Sequence, residues 1–398
     1  MTRIRAILHC VTRVGIGHFV RTREIARAVA ERHDAYLVDD GAPVPDRAIH
    51  AGIHRISVPP VVREGGRLRS GRADVTLKET LIMRRERLVR AVRSIRPDIV
   101  LIEHFPFSKL EHRSEILPMI EAARAVNPGV LVVCSVRDLS PQPNYLSVGA
   151  DYERQVLDTL HEWFDALVVH SDPHFVELGD SLKWVSSIRL PIAYTGYVAE
   201  PLSPSSVEAD RPGAIGARTG QIIVTAGGRR DTALYDVSTS AWFELKRRQK
   251  IAGRSMSLIA PAGTDPGEIV DRRWLDADMG LSVEQFSPAL VDRLRSADLS
   301  ISQAGYNTCT NILVSGVRAI VVPNSNSADQ VQRARLLSQH RLCRTLDPAF
   351  IDPLLLANAI ENELESVQPL SHNIDLDGAQ NTVELLEAWA FSRPRPLA

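Results

Sequence analysis

Short apolar runs rich in β-branched residues recur along the chain with helical stretches between them, and this alternation constrains the fold more than any other feature. RAILHCV, AYLV, DIVLIE, VLVVCSV and ALVVH fall in the first half; IIVTAG, SLIA, LSVEQF, DLSIS and AIVVP fall in the second. A run without an alternating polar face belongs to a parallel strand covered by helices on both sides. The pattern predicts an α/β architecture of doubly wound parallel sheets with right-handed crossovers. It also restarts. The stretch AEPLSPSSVEADRPGAIGARTG has three prolines and no apolar periodicity, which predicts an interdomain linker over 199–220. The expected organisation is a Rossmann-like domain over 1–198, a second over 221–375, and a C-terminal helix and tail over 376–398, with Val383, Leu386 and Ala390 on one stripe. A length of 398 residues suits two such domains.

Composition narrows the function classes. No segment approaches the roughly 18 uncharged apolar residues of a spanning helix. The first residues run directly into an apolar strand without a signal-type apolar region, so a mature cytoplasmic protein is expected. Cys10, Cys134, Cys309 and Cys343 are scattered and form no CxxC pair, which argues against a disulfide framework or structural zinc. A net charge of -1 gives no general attraction to nucleic acid. Positions 61–96, however, hold ten arginines and Lys78 against Glu64, Asp74, Glu79 and Glu86. Leu77, Leu81, Leu88, Val92 and Ile95 recur there at helical spacing, with arginines expected on the opposite, solvated face. Arg63, Arg67, Arg69 and Arg72, on a glycine-containing loop before that helix, are candidates for contact with an anionic acceptor or lipid surface.

In open α/β sheets, ligands bind beyond the carboxyl ends of the strands. After the first strand, Gly15 and Gly17 allow a tight turn before a helix whose inner face carries Ile25, Ala28 and Val29. His18 at that turn is either a general base or a cap. The turn is a defective dinucleotide fingerprint, since Val20 stands where GxGxxG needs glycine; Asp39 and Asp40 keep a nicotinamide-nucleotide reading open. Glu103, followed by His104, lies after DIVLI and can orient a nucleophile or tune a base. Arg137 and Asp138 either do the same or brace a loop. His170, Asp172 and His174 have a spacing that suggests metal, but the proline between them and the missing third carboxylate count against it. No metal and no cofactor are expected.

In the second half, Gly227, Gly228, Arg229 and Arg230 follow IIVT, and Ser302, Gln303, Gly305, Tyr306, Asn307 and Thr308 follow DLSI. Two glycine-containing turns that open helices can present backbone N–H groups and a hydroxyl to a diphosphate. The loop NSNSADQVQ after AIVVP carries amide and carboxylate groups suited to sugar hydroxyls.

Gly15-Ile16-Gly17-His18, together with SQAGYNT, AIVVPN and ADQ, resembles glycosyltransferase family 28, which includes the enzyme that adds N-acetylglucosamine to lipid I. IEHFPF, SVRD, VVHSDPHF, YTGYV, AGG and SQAGYNT look like successive landmarks of a set of bacterial predicted glycosyltransferases. The resemblance runs from residue 4 to about residue 340.

It implies a GT-B fold: two Rossmann-like domains facing a cleft, acceptor site in the first, nucleotide-sugar site in the second, the last helix returning to the first. It further implies an inverting, metal-independent hexosyl- or N-acetylhexosaminyltransferase using a UDP-sugar. His18 would deprotonate a small-molecule or lipid-linked acceptor, with Glu103 beside it; Gly227, Gly228, Ser302, Gly305 and Thr308 would approach the diphosphate. Phe286 and Ser287 would lie by the base, Asp329 and Gln330 would read sugar hydroxyls, and Gly15, Gly17, Arg137, Asp138, His170, Asp172 and Tyr194 would line the acceptor side. This chain departs from the family at Asn311, where relatives carry a ribose-binding glutamate, and at Arg229, where nearer ones have glycine. A sugar-nucleotide 2-epimerase of the same architecture and a non-catalytic sugar-nucleotide-binding subunit are the alternatives.

Overall fold

The computed structural model describes residues 3–11, 17–39, 49–64, 67–139, 150–203, 218–226, 232–261, 264–271, 274–275, 279–286, 289–366 and 371–392. Two compact units result: one combines the chain up to Ala199 with the segment from Ile374 onward, the other spans Glu200–Asn373.

The first unit is built on strands β1 (Arg5–His9), β2 (Asp34–Asp39), β3 (Ile53–Ser57), β6 (Ile99–Glu103), β7 (Leu131–Arg137), β8 (Ala166–His170) and β9 (Ile192–Tyr194). They pair in the order β3-β2-β1-β6-β7-β8-β9, all parallel. The intervening β4 (Val61–Glu64) and β5 (Arg67–Ser70) form a separate antiparallel hairpin. Helices α1 (Gly17–Arg32), α2 (Leu77–Ile95), α3 (Arg113–Val126) and α4 (Ala150–Trp163) follow strands or the hairpin. Successive residues of each central strand enter opposite cores. Ile7, Val100, Ile102 and Val132 pack with Leu88 and Val92 of α2 and Ile116 and Ile120 of α3, while Ala6, Leu8, Leu101 and Val133 pack with Ile25, Ala28 and Val29 of α1. That double burial is why the runs show no polar face.

The second unit repeats the scheme with β10 (Gln221–Thr225), β11 (Ser255–Ala260), β12 (Leu281–Gln285), β13 (Leu299–Ser302), β14 (Ala319–Val321) and β15 (Arg344–Thr345), in the order β12-β11-β10-β13-β14-β15. Its helices include α5 (Thr232–Arg247), α6 (Leu290–Ser296), α7 (Tyr306–Ser315), α8 (Ala328–Gln339) and α9 (Pro353–Glu365). Both sheets thus have the doubly wound order, which reverses between β1 and β6 and again between β10 and β13.

The last helix, α10 (Gly378–Ser392), belongs to the first unit. Val383 and Leu386 are buried in the α1 core, worth about 1.5–3 kcal/mol each. Glu387 meets His33 at 2.6 Å and Arg32 at 3.3 Å. The helix starts with glycine because a Cβ at Gly378 would lie 2.4 Å from the Gly196 carbonyl oxygen.

The arginine-rich region departs from expectation in two ways. Arg63, Arg67 and Arg69 lie on the β4–β5 hairpin rather than a loop, and Arg63 pairs with Glu111, Arg69 with Glu64 and Arg72 with Asp74. The arginines of α2 do not all face solvent either, since Arg84 is fully buried. Helix α2 itself starts at a capping box in which Thr76 and Glu79 satisfy each other's backbone N–H.

Candidate active site

A buried polar cluster of the first unit lies where its strand order reverses. Glu103, the last residue of β6, is buried, and four side chains converge on its carboxylate. His18, in the first turn of α1, brings Nδ1 to 2.5 Å from Oε1. Arg21, one helical turn later, also donates to Oε1, and Lys109 donates to Oε2. His104 Nε2 lies 3.8 Å from Oε1 and accepts the Arg137 backbone N–H at 3.3 Å. The turn from His104 to Lys109 begins and ends on non-glycine residues of positive φ, 60° and 66°. Such backbone strain persists where the surroundings enforce it and is concentrated at functional sites.

Electrostatics follow from this packing. Burial opposes the charge on Glu103, but His18, Lys109, His104 and Arg21 more than offset it and hold the carboxyl well below its ordinary value. Burial lowers His18 to about 4; the Glu103 charge and hydrogen bond pull upward, and Lys109 and Arg21 push down. The imidazole is therefore neutral near pH 7, and the cations that keep Glu103 ionised there are Lys109 and Arg21. Since a carboxylate only accepts, the neutral ring donates from Nδ1. Its Nε2 lone pair is left available, and the His18 side chain is 25% exposed.

Among the described residues, His18, Glu103 and His104 are the one group offering three metal-ligand atoms within 4.8 Å of one another. The donor set does not suit a cation. Both Glu103 oxygens already serve buried cations, and His104 Nε2 is used by a backbone N–H.

The other first-unit candidates serve the scaffold. His170 is fully buried between Ser135 Oγ (2.7 Å) and Thr195 Oγ1 (2.9 Å), and burial lowers it to about 3. Asp172 accepts the backbone N–H groups of His174 and Asp375, both at 2.9 Å, and the His174 ring at 3.1 Å. With His174 94% exposed and His170 turned to hydroxyls, this trio is no metal centre. Asp138 accepts from the Leu139 backbone at 2.8 Å and Tyr197 Oη at 3.4 Å. Tyr194 Oη accepts the Leu178 N–H at 3.0 Å. Asp39 is buried against Arg55 of the neighbouring strand, so its carboxylate is not offered to a ribose. Gly17 opens α1; Gly15 and Asp40 lie outside the described residues.

Sequence reasoning passed over Arg21, Lys109 and a second buried network. Arg84 holds Glu115 through two hydrogen bonds of 2.5 and 3.0 Å and donates to the Pro59 carbonyl at 2.7 Å. His112 Nδ1 reaches the same carboxylate at 2.7 Å. Only Arg21 had a readable signal, its one-turn spacing from His18.

In the second unit the reversal point lies at β13 and α7. Ser302 ends β13, Gln303 is buried in the connection, and Gly305 caps α7, whose first turn is Tyr306, Asn307 and Thr308. The N-cap residue, being glycine, brings no side chain to the N–H groups of the first turn. The buried Ser302 Oγ and Asn311 Oδ1 have no hydrogen-bond partner. Among the described residues, a Cβ at Gly305 would meet only Thr308 Oγ1, at 3.5 Å, and φ is −64°. The described residues therefore do not require glycine there. Buried Arg333 of α8 donates to the Ala304 carbonyl at 2.7 Å and lies 5.9 Å above the Tyr306 ring, fixing the turn. Asp329 accepts from Ser327 at 2.6 Å and Gln330 from the Asn324 N–H at 3.1 Å, bracing the loop before α8. Phe286 continues β12 through its N–H to Ala260 at 3.0 Å. Gly227, Gly228, Arg229, Arg230 and Ser287 lie outside the described residues.

Residues 222–382 match the model of the glycosyltransferase family 28 C-terminal domain. Solved structures extend the likeness over both units. MurG of Acinetobacter baumannii is 15% identical with a TM-score of 0.54, covering 96% of this chain and 99% of its own. A UDP-glucosyltransferase from Polygonum tinctorium, complexed with 3,4-dichloroaniline, is 13% identical with a TM-score of 0.59, covering 98% and 94%. The spinosyn rhamnosyltransferase SpnG, complexed with thymidine diphosphate, is 15% identical with a TM-score of 0.54, covering 99% and 98%. The chain has the GT-B fold, and its second unit carries the match to the family 28 C-terminal domain. No curated protein matches this sequence significantly. No described helix of the chain is long and apolar enough to cross a membrane.

Proposed function

We propose that this chain is a glycosyltransferase that moves a sugar, with inversion and without a metal, from a nucleoside-diphosphate donor to an acceptor hydroxyl in the cytoplasm. The observation that carries this reading is the His18–Glu103 pair at 2.5 Å, with Nδ1 donating and Nε2 left as a base. His18 Nε2 takes the acceptor proton as the oxygen attacks the anomeric carbon, and the diphosphate leaves with the bonding electron pair. The α7 N-terminus, with Gly305 and Ser302, receives the diphosphate; the helix dipole and the first-turn N–H groups, which point out of a glycine N-cap, favour that charge. Asn311, with an unpartnered buried oxygen, is assigned to the nucleoside. UDP and TDP sugars are the leading donors, because the solved relatives include a UDP-glucosyltransferase and a thymidine diphosphate complex.

The test has two parts. A thermal-melt panel of UDP, TDP, GDP and their sugars is expected to show a stabilising ligand, by about 2.7 kcal/mol at 100 times its Kd. His18→Ala is expected to keep that stabilisation and to slow donor turnover about 10²–10⁴-fold. Failure of the whole panel refutes the donor site, and full turnover by His18→Ala refutes the base. Conversion of UDP-N-acetylglucosamine to a new sugar without acceptor would establish an epimerase instead.

A further inference from the structure

The His18–Glu103 pair reads as a base and its orienting acid, yet two further cations share the acid. Glu103 gives Oε1 to His18 and Arg21 and Oε2 to Lys109. The Glu103, Arg21 and Lys109 side chains are each 3% exposed or less. One negative and two positive charges are thus enclosed together, leaving net positive charge beside neutral imidazoles. Among the described residues, the titratable and charged groups facing His18 are Arg21 from α1, Glu103 and His104 from the end of β6, and Lys109 from the turn beyond. Lys109 is the least explained of them. It sits at φ 66°, which costs a non-glycine residue backbone energy, and the result is its ammonium placed on Glu103 Oε2.

We propose that Lys109 is a positioning residue which, with Arg21, saturates the Glu103 carboxylate, so that Glu103 fixes the His18 tautomer without drawing a proton onto the ring. An unshared carboxylate would favour the imidazolium, which has no lone pair for an acceptor proton. The shared carboxylate still accepts the Nδ1 hydrogen, while Lys109 and Arg21 oppose a third positive charge. His18 is then a free base in the resting enzyme. The proton it takes from the acceptor hydroxyl enters a positive surrounding and passes readily to water at the exposed edge of the ring. Burial is the main cause of the lowering of His18 to about 4, and Lys109 and Arg21 act in the same direction.

The inference rests on His18 being the base, so its test needs a readout that does not. Histidine C2-hydrogen exchange followed by mass spectrometry gives the His18 titration midpoint without substrate. In Lys109→Met the midpoint is expected to rise by about 1–3 units. Lys109→Arg, which keeps the charge, is expected to stay with the wild type. Lys109→Gln stands in if the methionine variant does not fold. With a donor that is turned over, the acid limb of kcat/KM should move up with the midpoint, whereas a purely structural loss lowers the rate at every pH alike. A midpoint unmoved in Lys109→Met and Lys109→Gln, or moved equally in Lys109→Arg, overturns the proposal. Undiminished turnover by His18→Ala would remove the base assignment and leave the exchange result to judge Lys109 separately.

Discussion

Replacing Glu103 by glutamine removes one negative charge and almost no volume from a site where Arg21 and Lys109 keep theirs. All three side chains are 3% exposed or less, so water cannot take over the lost role. Removing one partner of a buried ion pair costs about 3–5 kcal/mol, mostly because the other charge is left uncompensated. Two cations are stranded here, which places the expected cost at the upper end of that range. Against a typical total stability of about 5–15 kcal/mol this is a large loss. Adding Lys109→Met removes one of the stranded cations. The double variant is therefore expected to be more stable than Glu103→Gln alone, with a coupling of about 1–3 kcal/mol. Urea unfolding of the wild type, both single variants and the double variant measures this, provided the denaturant slope is unchanged. If the two single costs add to within about 0.5 kcal/mol, Lys109 and Glu103 are not electrostatic partners and the description of the site is wrong.

Other tests probe the scaffold and the donor turn. Burial opposes charge on Glu115, but hydrogen bonds from His112 and the Arg84 guanidinium hold its carboxyl at about 2 against an ordinary 4.5. Because the unfolded chain binds that proton more readily, the stabilisation, about 3 kcal/mol at about 1.4 kcal/mol per unit, is present above pH 4.5 and lost as pH falls towards 2. Acid titration of the melting temperature should show this limb flattened in Glu115→Gln; an unchanged limb assigns the acid lability elsewhere. Gly305→Ala should alter stability by less than about 1 kcal/mol, since its Cβ meets only Thr308 Oγ1, yet abolish the melting shift given by the donor nucleotide. Retention of the shift would move the diphosphate away from α7. Gly378→Ala should destabilise by about 1–3 kcal/mol or more, because the added carbon meets the Gly196 and Tyr197 backbones at 2.4 and 2.6 Å. A melting temperature equal to the wild type would contradict the close packing of α10.

The central strands were legible because each is buried on both faces and so spells an uninterrupted apolar run. Most edge strands were not, β12 within LSVEQF being the exception. Strand β3 exposes His54 and Arg55, β15 has two residues, and the β4–β5 hairpin is crowded with arginine, so none presents a run long or apolar enough to stand out. Missing β3 had a consequence, since it carries the Arg55 that occupies Asp39. His18 and Glu103 were legible from their positions at a strand end and a helix start. Lys109 and Arg84 were not, because burial of a cation depends on a carboxylate from another element, which local periodicity does not encode. Arg84 looks like any other arginine of α2 until Glu115 of α3 is beside it.

The return of α10 to the first unit bears on how the chain is made. A ribosome releases residues up to Ala199 long before Gly378, so the core that Ile25, Ala28 and Val29 of α1 share with β1, β6 and β7 emerges before Val383 and Leu386 can complete it. The whole second unit is synthesised in that interval. The nascent first unit is thus a sticky intermediate whose completion waits for the final helix, and a stop codon before α10 would leave that state permanent.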